Sequence, residues 1–266
     1  MAGFLGYNPN KEGPGVDKVS KKQKRRWVTF FEIYGRNFWK LITAGLLYFV
    51  SILPVVTIGP ATAGFTYLLR QYANQEHAFM WHDYIRVAKK NLKQSLAIFL
   101  LNTVVIACLF FAYPFYSDLF FRLQDSWAII PLCGCVIVTI LFVLMNFYIH
   151  VMMITFRLSV WQLIKNSFLL AFLGVKTNLI TLIVSAVIMF ATYLLMPISL
   201  IFLPFIIVPF LGLLILYNVW PNLEKYLIEP YYKDHPEERP DQGEEAPIFE
   251  DRGSQKPEEP NEPPKA

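Results

Sequence analysis

Three blocks of this chain, residues 95–117, 126–156 and 177–223, contain no Asp, Glu, Lys or Arg. Each exceeds the ~20 apolar residues that a helix needs to cross a ~30 Å hydrocarbon core. Inside a bilayer the backbone must satisfy its own hydrogen bonds, which leaves only helices and closed barrels. Barrel strands read as short alternating segments, and these blocks do not. The fold class is therefore all-α, a polytopic transmembrane helix bundle. Composition agrees: 55% of the residues are hydrophobic and 17% charged, against roughly 25% charged in soluble domains.

The chain opens on a polar, basic arm with no apolar region of the secretory type, so membrane insertion is expected to begin at the first membrane helix. Residues 1–40 hold nine Lys/Arg against three Asp/Glu, focused in KKQKRRW at 21–27. Beside a membrane helix such a cluster marks the cytoplasmic side and attracts anionic headgroups at ~1 kcal/mol per basic residue. No nucleic-acid-binding fold accompanies it, so lipid rather than nucleic acid is the expected partner. The first span is expected over Phe38 to Ile58, with Trp27, Phe38 and Trp39 at headgroup level and Lys40 snorkelling.

That span runs into SILPVVTIGPATAGF, residues 51–65. Pro54 breaks it, and the chain is expected to turn at Thr57–Pro60. Gly59 permits an unusual backbone there, and Pro60 suits the first turn of a new helix. Small Ala61, Ala63 and Gly64 allow close helix approach. Phe65, Leu68, Leu69 and Tyr72 form a helical face. The return helix, Pro60 to about Asn74, has 15 residues and would be only ~22 Å long. Charge decides its direction. Arg70 near its end and Arg86, Lys89, Lys90 and Lys93 after it stand against Glu76 and Asp83, and basic loops stay cytoplasmic. Since the amino-terminal arm is basic as well, the chain must double back.

Residues 79–94 are expected to form an interfacial amphipathic helix. Trp81, Tyr84, Ile85, Ala88 and Leu92 make its apolar stripe, and Arg86, Lys89, Lys90 and Lys93 its basic stripe, a lipid or partner contact. The alternative is a cytoplasmic helix packed on the bundle. His77 and His82 sit here without a third ligand, and Cys108, Cys133 and Cys135 read as small core residues, so no metal or cofactor is expected. Outward (96–116), inward (127–150), outward (179–196) and final inward (to 217–220) spans follow, with a second short interfacial helix over 156–176. The total is six membrane helices, or five if the return helix only dips. Inward, interfacial and outward helices recur at 60–116 and 127–197, with Lys90-Asn91 and Lys165-Asn166 at similar places.

The domain organisation read from the chain is a basic cytoplasmic arm (1–37), a transmembrane helical domain (38–225) and a disordered, acidic, proline-rich cytoplasmic tail (226–266). Residues 230–266 hold eight prolines and eleven acidic residues, a composition that cannot drive folding.

Chemistry is sparse. Ionisable residues in a membrane are costly and mark function, yet no Asp or Glu lies in the later spans. Arg70, His150 and Arg157 fall near expected cytoplasmic ends, where snorkelling accounts for them. Asn102, Thr139 and Asn146 suit interhelical hydrogen bonds. There is no phosphate loop, dinucleotide fingerprint, HExxH or GxSxG. No catalytic residue is assigned, and an enzyme is not expected.

The stretch FWKLITAGLLYFVSILPVVTIGPATAGFTYLLR, residues 38–70, resembles the YesL family of bacterial membrane proteins, a domain of unknown function. The likeness rests on Phe38-Trp39-Lys40-Leu41, Leu53-Pro54, and Thr57 to Ala63 with Gly59, Pro60 and Ala61. Lys89-Lys90-Asn91 and Lys165-Asn166-Ser167 add to it. The resemblance implies a small integral protein of the cell membrane, often encoded beside carbohydrate uptake systems, with no established catalytic residue. It points to an accessory or regulatory component touching ABC-type sugar permease subunits. The alternative is a small-solute transporter or channel, with the Pro54–Pro60 break lining a polar cavity.

Overall fold

The computed structural model describes residues 26–74, 76 and 78–234, all helix, turn or loop, with no strand among them. The acidic tail beyond residue 234 and the first 25 residues lie outside the described residues. So does His77.

Helix α1 (Arg26–Arg36) bends directly into α2 (Phe38–Ile52). The stretch expected to belong to the arm is thus helical at its end. Its amphipathic spacing buries Phe30 and Ile33, with Phe30 edge-on to Phe210. A short 3₁₀ turn, Val55–Thr57, leads to α3 (Ile58–Ala73). Then come α4 (Met80–Lys90), α5 (Leu92–Phe121), α6 (Ile129–Thr155), α7 (Val160–Leu173) and α8 (Val175–Leu194). The last three, α9 (Ile198–Phe202), α10 (Val208–Leu223) and α11 (Glu229–Asp234), join through π-helical turns at Leu203–Ile207 and Glu224–Ile228. Four helical stretches among the described residues are long and apolar enough to span a membrane: 92–121, 126–155, 175–194 and 198–233. The α2–α3 hairpin is shorter, at 15 and 16 residues.

The repeat hinted at in the sequence is threefold. A short helix meets a long one at an elbow in α1–α2, α4–α5 and α7–α8, and the three elbow residues share one conformation. Asn37 has φ −101, ψ 14, Asn91 has φ −100, ψ 12, and Gly174 has φ −97, ψ 26. Each keeps the helical ladder on both sides. The three amides donate to Ile33, Val87 and Leu170 oxygens at 3.1 Å, and the three carbonyls accept from Leu41, Ser95 and Asn178 at 2.8–2.9 Å. The bridge-region geometry bends the axis while the amide and the carbonyl of each elbow residue stay bonded.

One carbonyl in each elbow receives an asparagine amide. Asn37 Nδ2 donates to Ile33 O at 3.2 Å, Asn91 Nδ2 to Val87 O at 3.1 Å, and Asn178 Nδ2 to Leu170 O at 3.1 Å. In every case the acceptor lies four residues before the elbow. The residues four and seven past each elbow are buried: Leu41 and Ala44, Ser95 and Ile98, Asn178 and Thr181. The last two pairs are all that α5 and α8 bury. Beyond its first turns each of these long helices presents apolar side chains outward, as a lipid-facing helix does.

The sequence pairing of Lys90-Asn91 with Lys165-Asn166 is therefore corrected. Asn91 sits at an elbow, whereas Asn166 lies in the middle of α7 and the matching elbow is Gly174. A Cβ at Gly174 would collide with the Asn222 side chain and come within 2.9 Å of the Tyr148 hydroxyl. An asparagine cannot stand there, so the capping amide comes from Asn178, one turn on.

Helices α3, α6 and α10, which run toward the elbows, touch one another at the centre of the bundle. Helix α4 lies on α3, α7 lies on α6, and α10 contacts α1 and α2. The first elbow, which has no elbow-directed helix before it among the described residues, so takes the last one, α10. Leu68, Leu69, Tyr148, Met152, Leu213 and Leu214 fill the core between these helices. Cys108 and Cys133 are exposed rather than in the core. Both lie on outer helix faces, where a small apolar thiol is as compatible with lipid as with protein.

Candidate functional site

The turn that begins α3 is built as a hydrogen-bonded staple. Pro54, at φ −78, ψ 103, ends the α2 direction and caps the 3₁₀ turn. Thr57 donates its hydroxyl to the Ser51 carbonyl and to Pro54 O at 2.5 Å, and its amide bonds Pro54 O at 2.7 Å. Leu53, Val55 and Val56 point outward. The reversal thus occupies residues 53–57, slightly earlier than the expected Thr57–Pro60. Gly59, Pro60, Ala61 and Ala63 are already helical and buried. Gly59 has no unusual backbone angle. It is needed for close approach, because a Cβ there would fall on the Ser95 carbonyl of α5 and within 3.2 Å of Phe99 Cβ. The expected face of Phe65, Leu68, Leu69 and Tyr72 is buried.

The basic helix ends at Lys90, so Leu92 and Lys93 belong to α5, past the elbow. Arg86 pairs with Asp83 at 2.7 Å, and the Asp83 carboxylate also accepts the Phe79 amide at 2.9 Å. Lys89, Lys90 and Lys93 are exposed beside the elbow. Asp83, Tyr84 and Val87 face α3, whereas Trp81, Ile85 and Leu92 of the expected apolar stripe are exposed. Helix α4 thus combines a packed face with an uncovered apolar edge. Burial pushes the Tyr84 phenol up to about 12.

Where α3, α6 and α10 meet, they and Tyr48 of α2 line a partly open cavity of about 380 Å³, within the size range of small-molecule sites. Its walls are mostly apolar. Its polar members are Tyr48, Thr62, Thr66, Asn146 and His150. Most of these are already engaged. Thr62 and Thr66 donate to Ile58 O and Thr62 O at 2.7 and 2.8 Å. Tyr48 and Thr62 hydroxyls lie 3.3 Å apart. Asn146 accepts from Asn102 Nδ2 at 2.7 Å and donates to Phe142 O at 2.9 Å. His150 Nδ1 is buried with no partner.

The interhelical bond expected of Asn102 and Asn146 is present. Thr139 bonds only within its own helix, to Cys135 O. His150 does not snorkel but lines this cavity, and sequence reasoning missed it. The available signal was spacing: Asn146 and His150, like Thr62 and Thr66, stand four residues apart and share a helical face. Among the described residues no group of three His, Cys, Asp or Glu side chains could hold a metal.

Comparison with known proteins touches this same region. Residues 46–113 match the model of a family described as "Protein of unknown function, DUF624". The match takes in the second half of α2, the turn, α3, α4 and most of α5, so it spans the second elbow with the helices on both sides of it. It is consistent with the resemblance drawn from the turn motif. No curated protein and no solved structure matches the chain.

Proposed function

We propose that this integral membrane protein is an accessory or regulatory component of carbohydrate uptake, and that it does not carry the sugar itself. The observation that supports this reading is the character of the central cavity. A sugar offers a ring of hydroxyls, and a pocket that binds one needs convergent free donors and acceptors. Here the threonine hydroxyl protons and the Asn146 amide are engaged by protein partners, and His150 Nδ1 is buried without one. The link to carbohydrate uptake rests on the YesL resemblance. In this reading the protein lies multi-pass in the cell membrane with both termini cytoplasmic, as the positive-inside rule directs. Lys89, Lys90 and Lys93 face anionic headgroups or the cytoplasmic side of an ABC-type permease, and no catalysis and no nucleic acid are involved.

A second reading, a small-solute transporter or channel, is favoured by one feature. The cavity lies where three repeated inward helices converge, and transporters place their sites at repeat interfaces. Affinity purification of the full chain after cross-linking in cells separates the two. Recovery of sugar permease subunits supports the accessory role. Solute flux into liposomes holding this chain alone, without such recovery, overturns it in favour of the transporter.

A further inference from the structure

A second cavity, of about 180 Å³, lies at the elbow end of the bundle, between the end of α3, the end of α10 and the start of α1. Two arginines line it, Arg26 and Arg70, together with Asn74, Tyr217 and Trp220. The Arg70 guanidinium carbon lies over the Trp220 ring, 5.0 Å from its centroid, a cation–π contact that does not use its N–H donors. Among the described residues one hydrogen bond from these donors is present, from Nη1 to Thr155 Oγ1 at 3.4 Å, and Nε is buried with no partner. Among the described residues no carboxylate stands within ion-pair distance of Arg70. Glu76 acts on it electrostatically but directs its Oε1 toward Asn74 Nδ2 at 3.4 Å. Arg26 is anchored on the opposite wall by its bond to Tyr217 O at 3.2 Å and by lying over the Tyr217 ring.

A half-buried guanidinium with an unmet donor is expensive unless something anionic completes it. We propose that this cavity binds a phosphate group, held by Arg70 and Arg26 with Asn74 as a further donor. The planar donor edge of a guanidinium matches a phosphate's oxygens in pairs. The contact over Trp220 and the Thr155 bond hold the Arg70 head in the cavity before any ligand arrives, which reduces the side-chain freedom lost on binding. The cavity lies at the end of the bundle that carries Lys40, Lys89 and Lys90, where lipid headgroups and dissolved phosphates both have access. Both sources offer the same chemistry. This site is separate from the central cavity and does not depend on the role proposed above.

The test uses the purified full chain in neutral detergent and follows its thermal unfolding. Three probes are added at matched ionic strength: inorganic phosphate, a short-chain phosphatidylglycerol and a short-chain phosphatidylcholine. Stabilisation by phosphatidylglycerol and not by inorganic phosphate assigns the site to a lipid headgroup, and stabilisation by both assigns it to phosphate as such. In either case Arg70→Gln weakens the apparent affinity roughly tenfold or more, as loss of a charge-assisted bond requires. Arg26→Gln, whose side chain is exposed and whose loss leaves the core intact, weakens it in the same direction and serves if Arg70→Gln does not fold. Arg122→Gln, an exposed arginine paired with Asp118 at the far end of α5, leaves the response unchanged. No response to either anionic probe, or a response undiminished by both arginine variants, overturns the proposal.

Discussion

Gly59→Ala adds one methyl group to α3 and tests the packing directly. The new Cβ meets the Ser95 carbonyl oxygen, with its carbon at 2.8 Å and Phe99 Cβ at 3.2 Å. Two of these contacts are to backbone, so no side chain can rotate away. The α3 and α5 helices must separate instead. Overpacking of this kind costs about 1–3 kcal/mol, and a carbonyl contact belongs at the upper end. Against it stands a helix-propensity gain of about 1 kcal/mol for replacing glycine by alanine. The net expectation is a loss of about 1–2 kcal/mol. Gly134 in α6 supplies the control, since a Cβ there meets nothing within 4 Å. Gly134→Ala keeps the propensity gain and has no clash. Thermal unfolding of the purified full chain should place Gly59→Ala below wild type and Gly134→Ala level with it or above. A Gly59→Ala variant as stable as Gly134→Ala would refute the close-approach argument.

Asn91→Ala removes an amide that caps an elbow carbonyl and should cost about 0.5–1.5 kcal/mol in thermal or denaturant unfolding, and Asn37→Ala should cost more, because Asn37 Nδ2 also donates to Tyr72 O of α3 at 3.2 Å. Asn178→Ala should cost more, because Asn178 donates to both Leu170 O and Ala171 O and accepts the Tyr148 hydroxyl. A double-mutant cycle with Asn102→Leu and Asn146→Leu should return a coupling of about 0.6–2 kcal/mol, the range for polar pairs between membrane helices. Thr57→Val keeps the shape of the turn but removes both hydroxyl bonds, and should cost about 1 kcal/mol with insertion unchanged.

The helical class and the long spans were legible because charge-free blocks of that length have few alternatives in a bilayer. The α3 face was legible too, since Phe65, Leu68, Leu69 and Tyr72 follow helical spacing. The exact place of the reversal was not. Gly59-Pro60 reads as a turn signal, but the same pair suits the first helical turn, and the bends that matter are at Pro54 and Thr57. The third elbow was hidden because its glycine and its capping Asn178 exchange the roles that Asn37 and Asn91 each fill alone. The first elbow was hidden because Arg26–Arg36 looked like the end of a polar arm, and only contact with α10 shows what its apolar face is for. His150 was misread because its distance from a helix end said nothing of the direction it faces.

The central claim is that all three elbows lie on one side of the membrane, which requires α2 and α3 to form a complete reversal. Single cysteines at Arg36, Lys90, Leu123 and Lys176, in a chain whose three native cysteines are replaced by alanine, test it with a membrane-impermeant thiol reagent. The account predicts labelling of Leu123→Cys in intact cells, and of Arg36→Cys, Lys90→Cys and Lys176→Cys only after the cells are opened. Labelling of Lys90→Cys in intact cells while Arg36→Cys stays protected would contradict it.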